Sequence, residues 1–137
     1  MVARAVGKPL PHDSAHLHVS GQAAYTDDLP EPRDLLHLAV GMSTVAHARV
    51  RDIELADVLA VDGVVDVCTA ADIPGENNYG SIVKDDPLLA DGLVQYVGQP
   101  LFAVAAETVD AARKAARKVS VEYDELEAIL DPLTAVQ

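Results

Sequence analysis

Apolar and polar positions alternate with a period of two in the first patterned part of the chain. Leu36, Leu38, Val40 and Met42 interleave with Leu35, His37, Ala39 and Gly41, which predicts a strand with at least one buried face over 36–42. Residues 48–55 alternate too, with Arg49, Arg51, Ile53 and Leu55 on one side and Asp52 and Glu54 on the other, and their polarity predicts a half-exposed edge strand. A short helix over 56–61, ended by Gly63, should lead into the β-branched strand 64–69. Residues 93–97 read as a strand and Gly98-Gln99-Pro100 as a tight break. The continuous apolar run 101–106 then reads as a central strand buried on both faces. Thr108 is placed to cap a helix over 109–118, whose Val109, Ala112, Ala116 and Val119 form an apolar stripe opposite Arg113, Lys114, Arg117 and Lys118. Those cations crowd the end where the helix dipole favours positive charge. A further alternating strand over 119–123 follows. Strand, helix and strand are thus joined closely, and a parallel pairing of the two strands would require a right-handed crossover. Asp131-Pro132 opens one more helix, with proline at its first position.

Two stretches lack periodicity. Residues 7–32 are proline-rich and predict an extended arm with turns, the clearest being Tyr25-Thr26-Asp27-Asp28-Leu29-Pro30. Residues 74–87 form a polar, Gly- and Asn-rich loop whose composition favours disorder in isolation. No internal repeat or low-complexity segment is evident.

With 137 residues, half of them apolar, the chain is expected to fold as one domain. Its aromatic residues are Phe102, Tyr25, Tyr79, Tyr96 and Tyr123, with no Trp, so the core must come from Val, Leu, Ile and Ala. A formal charge of −12 argues against nucleic acid and anionic membranes as partners, because both require clustered cations. No apolar run approaches the ~18 residues of a membrane span, and residues 1–10 lack a signal-like apolar core. A cytoplasmic protein is the expectation. Cys68 is the only cysteine, which rules out an internal disulfide or an iron–sulfur cluster held by this chain alone and fits a reducing compartment. Within Val64-Val65-Asp66-Val67-Cys68 it reads as a small buried hydrophobe.

The candidate chemistry is sparse. His12, His16 and His18 lie close enough in sequence to share a metal. However, His12 and His16 share a face only on a helix, His16 and His18 only on a strand, and Pro9 and Pro11 oppose a helix. Asp27-Asp28, Asp85-Asp86 and the acids of 122–127 lack calcium-loop spacing and read as solvated turns and faces. No glycine-rich phosphate cradle and no Gly-x-Ser-x-Gly elbow is present. Gln99 sits in the break between two strands and could be aimed at a ligand, although such triplets normally punctuate the backbone. No residue is assigned a catalytic, cofactor-binding or metal-binding role.

Several segments together resemble a known family. They are Val6-Gly7-Lys8-Pro9-Leu10-Pro11-His12-Asp13-Ser14-Ala15, Gly21-Gln22-Ala23-Ala24-Tyr25-Thr26-Asp27-Asp28-Leu29-Pro30 and Ala46-His47-Ala48-Arg49-Val50. Gly63-Val64-Val65, Ala70-Ala71-Asp72-Ile73-Pro74-Gly75, Tyr96-Val97-Gly98-Gln99-Pro100 and Val121-Glu122-Tyr123-Asp124-Glu125-Leu126 continue the series. Their order and spacing resemble the start of the molybdenum-binding subunit of xanthine dehydrogenases, within the molybdenum hydroxylases that include aldehyde oxidases. The opening segment points to xanthine dehydrogenase within that group. The resemblance implies an α+β fold, the α/β hammerhead, described as a mixed β-sheet with an extended β-arm and two main helices.

It also implies the purine chemistry of the parent enzymes: hydroxylation of hypoxanthine and xanthine to urate at a molybdenum–pyranopterin cofactor, with electrons passing through 2Fe–2S clusters and FAD to NAD. None of the family's catalytic or cofactor motifs falls on this chain. It is therefore expected to bind no cofactor, to be inactive alone, and to partner the rest of the molybdenum subunit and an Fe–S/FAD subunit or domain. On this reading residues 1–137 are one hammerhead domain, with an arm over 1–34 and a polar loop over 75–87, truncated from a longer subunit. The alternatives are a domain of an aldehyde oxidase or carbon monoxide dehydrogenase-type enzyme, or a free-standing, non-catalytic binding module.

Overall fold

A computed structural model describes residues 6–136, which fall into two compact units divided between Arg33 and Asp34. The first unit is not extended throughout. It holds a six-residue helix, α1 (Ala15–Ser20), which stops where Gly21 takes the left-handed conformation (φ 72°), and a single 3-10 turn at Thr26–Asp28. The expected turn at Tyr25 is closed by its backbone N–H, which donates to the Asp28 carboxylate at 3.0 Å.

The second unit contains six strands: β1 (His37–Met42), β2 (Ala48–Glu54), β3 (Val64–Thr69), β4 (Leu93–Val94), β5 (Pro100–Ala106) and β6 (Ser120–Glu125). They form two three-stranded sheets, ordered β1-β5-β3 and β4-β2-β6, and every described pairing is antiparallel. The mixed sheet expected from sequence is thereby corrected. β5 and β6 belong to different sheets, so no parallel crossover links them even though α3 (Val109–Ala116) lies between them in sequence. α3 has eight residues, against six, four and four in α1, α2 (Ala56–Leu59) and α4 (Pro132–Ala135). Helix packing therefore rests mainly on α3.

β5 is central, as its continuous apolar run predicts, but its two faces differ. Phe102, Val104 and Ala106 are fully buried, as is Leu101 at the strand's start, whereas Ala103 and Ala105 are only half-buried. Gly41 of β1 lies opposite Phe102, and a Cβ built there would fall inside the space of the Phe102 ring. The glycine is needed for this close approach, since its φ is not positive. Ala112 and Ala115 of α3 close the core. Ala115 takes the place expected for Val109, which is exposed because it starts the helix at the margin of the packed face. Thr108 caps α3 as expected, its Oγ1 accepting the Ala111 N–H at 3.1 Å.

β2 differs from expectation. It lies between β4 and β6 and not at an edge, because exposure of one face had been taken for exposure of an edge. A bulge between Val50 and Asp52 also shifts the phase of the strand. Ala48 and Val50 face inward before it and Ile53 after it, so Ile53 does not share a face with Arg49 and Arg51. A second bulge, between Val64 and Asp66, leaves Cys68 exposed and corrects its reading as a buried hydrophobe.

The loop over 74–87 contains no strand or helix. It is nonetheless tied down by Asn77, whose Nδ2 donates to the Leu89 carbonyl at 2.7 Å while its Oδ1 accepts the Leu89 N–H at 3.1 Å. One amide side chain thereby completes a two-bond exchange of the kind a strand neighbour makes.

Candidate functional site

The residues with possible chemistry stay apart. In the first unit, the rings of His12 and His18 meet edge to face at 5.4 Å, and His18 Nδ1 lies 3.1 Å from the Tyr25 hydroxyl. His16 is exposed on α1, which begins after His12, so the three imidazoles do not share one helical face. Among the described residues, no three His, Cys, Asp or Glu side chains converge on a metal-sized site.

Gln99 is 2% exposed and serves the backbone. Its Oε1 accepts the Gln95 N–H at 2.7 Å, and its main-chain carbonyl accepts the Ser43 N–H at 2.9 Å. Gly98 makes the turn at φ 89° and returns its own N–H to the Ser43 carbonyl at 2.9 Å. The Gly98-Gln99-Pro100 break thus joins β5 to the end of β1. Sequence offered no sign of this, because Gln99 meets Ser43 only through the fold.

The carboxylates are turn-makers or surface groups. Asp72 accepts both the Thr69 N–H and its hydroxyl at 2.7 Å; the backbone bond, and then the side-chain bond, holds its pKa below the ordinary carboxylate range. Asp131 caps α4 in the same manner, and the Thr134 hydroxyl and N–H lower its pKa. Asp86 stands beside Tyr79, and its charge is the main cause raising the phenol's pKa. Arg51 and Asp124 form an exposed ion pair at 2.9 Å. Such pairs contribute little to stability.

Two of the open grooves among the described residues are lined largely by apolar side chains. One, of about 390 Å³, is lined by His47, Tyr96, Val97, Glu127, Ile129 and Leu130. The His47 Nδ1 there lies 2.8 Å from the Glu127 carbonyl, so that ring nitrogen is occupied by the backbone. The other, of about 510 Å³, runs between β1 and α3. Neither aligns a nucleophile, a base and an oxyanion donor among its lining residues. Sequence reasoning did not find these grooves, since each is lined by segments distant in the chain.

The family model for the aldehyde oxidase and xanthine dehydrogenase a/b hammerhead domain matches residues 20–127. The chain is 43% identical to a xanthine dehydrogenase of Oryza sativa subsp. japonica over 133 residues, 97% of this chain and 10% of that protein. It is 45% identical to aldehyde oxidase 4 of Cavia porcellus over 122 residues, 89% of this chain and 9% of that protein. Among solved structures it resembles the aldehyde oxidoreductase of Desulfovibrio gigas, with a TM-score of 0.84, 31% identity, and coverage of 91% of this chain and 15% of the other. It likewise resembles the CO dehydrogenase of Oligotropha carboxidovorans, with a TM-score of 0.81, 29% identity, and coverage of 94% and 16%. The chain thus spans about a tenth of the length of the curated relatives it matches. It belongs to the a/b hammerhead domain family of aldehyde oxidases and xanthine dehydrogenases.

Proposed function

We propose that this chain is a structural and docking domain of a molybdenum hydroxylase, xanthine dehydrogenase foremost, with the chemistry carried by other parts of the enzyme. The observation that carries the reading is the 43% identity over 97% of this chain, set against only 10% of its relative's length. The matches to xanthine dehydrogenase and aldehyde oxidase 4 are comparable, 43% over 133 residues and 45% over 122, so the preference for a purine substrate rests on the resemblance of the opening segment 6–15.

The parent chemistry on this reading is hydroxylation of hypoxanthine and xanthine, with a molybdenum–pyranopterin, 2Fe–2S clusters and FAD held elsewhere in a cytoplasmic enzyme. The described residues do not fit an iron–sulfur cluster. Cys68 is a single thiol where an iron–sulfur cluster takes about four. Its neighbours on the sheet are Ala103 and Thr69, which add no soft ligand. No helix among the described residues is long and apolar enough to cross a membrane.

The test is hydroxylation of xanthine and of an aromatic aldehyde, with molybdenum analysis, on this chain alone and on the chain coexpressed with the remaining segments of such an enzyme. The expected outcome is turnover and metal only in the assembly, with xanthine the better substrate. Stoichiometric metal or turnover in the chain alone would overturn the reading, and an assembly acting only on aldehydes would reassign the parent enzyme.

A further inference from the structure

β1 pairs with β5 along one edge only, and its other edge has no strand partner among the described residues. Beside that edge runs the open groove of about 510 Å³, with Ala39, Val40 and Met42 on the strand side and Arg113, Ala116 and Arg117 on the helix side. Ala39 and Gly41 face the core, which leaves Leu38, Val40 and Met42 on the opposite face with exposures of 73%, 41% and 55%. An unpaired edge of this kind presents a row of backbone donors and acceptors beside a strip of aliphatic surface.

The charge of the groove runs against that of the chain. In a molecule of net charge −12 with ten Lys and Arg, four of the ten are Arg113, Lys114, Arg117 and Lys118 of α3 and the turn that ends it, and Arg113 and Arg117 line this groove. All four are exposed, and among the described residues the ion pairs are Arg51–Asp124 and Lys84–Glu76, neither of which involves α3. Arg113 and Arg117 are four residues apart, a rise of about 6 Å on a helix. Side chains two residues apart on an extended strand repeat at about 6.6 Å and point to one face.

We propose that the free edge of β1 receives an extended strand of alternating acidic and apolar residues from outside this domain. Its backbone adds to the sheet, its carboxylates meet Arg113 and Arg117, and its apolar side chains lie beside Leu38, Val40 and Met42. The proposal rests on the reading that this chain works inside a larger enzyme, which is the source of the strand. The molecule already uses the same pairing mode internally. β6 alternates Val121 and Tyr123 with Glu122 and Asp124, pairs with β2, and sets Asp124 on Arg51 at 2.9 Å. A free phosphate or polyanion would use the guanidinium groups but leave the strand edge and aliphatic strip unused, so an acidic peptide is the better fit.

The test uses fluorescein-labelled octapeptides titrated into the full chain and followed by anisotropy, with amide hydrogen exchange read over β1. The probe alternates valine and glutamate; one control replaces glutamate with lysine, and another carries N-methyl groups along one backbone edge. The expected result is binding of the glutamate peptide with slowed exchange in β1. Binding should weaken at least tenfold for the lysine control, the N-methylated control and the R113E/R117E variant. Equal affinity for the N-methylated peptide would mean charge capture without strand addition and would overturn the proposal, as would undiminished binding to folded R113E/R117E or no binding at all. A peptide-free chain that dimerises in sedimentation velocity with β1 already protected would also overturn it, by assigning the edge to a second copy. If R113E/R117E fails to fold, the two control peptides on the unaltered chain decide. None of these readouts needs turnover or another subunit, so failure here and failure of the enzyme reading are separable.

Discussion

The two faces of the β1-β5-β3 sheet are built from the same kinds of residue and have opposite fates. On the face under α3, Ala39, Gly41, Phe102, Val104 and Ala106 are packed against Ala112 and Ala115. On the other, Leu38, Val40 and Met42 stand substantially exposed next to half-buried Ala103 and Ala105. Alternating hydrophobicity makes a strand two-faced, but which face becomes core depends on where the helix lands. On the proposed reading of this chain as a docking domain, an exposed apolar face of this kind is surface available for packing.

The largest expected effect lies on the closed face. Phe102 is fully buried and is the only phenylalanine, so Phe102→Ala should cost about 3–5 kcal/mol, read from urea unfolding followed by circular dichroism. Gly41→Ala tests the same contact from the other side. The added methyl enters the ring's space and should cost about 1–3 kcal/mol by overpacking. In the Phe102→Ala background that cost should largely vanish, because the ring it strikes is gone, and a cycle of the two variants measures the difference. Additive costs would show that Gly41 is required for another reason.

A smaller, pH-dependent effect lies away from both faces, at the turn that closes β3. Asp72 accepts two hydrogen bonds from Thr69, and its folded pKa lies below its unfolded value. The sign follows: its stabilisation is complete above the unfolded value, near about 4, and is lost as pH falls through the lower folded one. Asp72→Asn should therefore lower Tm at neutral pH, and the gap between variant and parent should close as the solution is acidified below that range. A gap that stays constant with pH would mean that the turn is held by shape and not by charge.

Much of the frame was legible from the sequence because it rests on local rules. The period-two runs gave β1, β2 and β6, the β-branched run gave β3, the unbroken apolar run gave a central β5, and Thr108 and Asp131 gave the two caps. What escaped notice depends on partners distant in the chain. The bulge at Val50/Asp52 inverts which residues of β2 face inward, and the one at Val64/Asp66 exposes Cys68, yet an extra residue in one strand is defined only against its neighbour. Asn77 orders a loop whose composition favoured disorder, through a backbone twelve residues away. The groove beside β1 was not legible either, because its two walls are about 75 residues apart in the chain and only folding brings them together.

The smallest expected effect is the one that separates the faces most sharply. Leu38 is 73% exposed in this chain, so Leu38→Ser removes little buried area, and the stability of the chain alone should change by less than about 0.5 kcal/mol. Inside an assembly that covers this face, the same change would remove a leucine from an interface and leave a hydroxyl in need of a partner. The predicted signature is an unchanged Tm for the isolated chain with a reduced yield of assembled enzyme on coexpression. A loss of stability in the isolated chain would show that Leu38 already supports this domain's own fold. An unchanged yield would show that the open face is not where the rest of the enzyme packs, and the contrast between the two faces would then reflect the economy of a small sheet and not its docking.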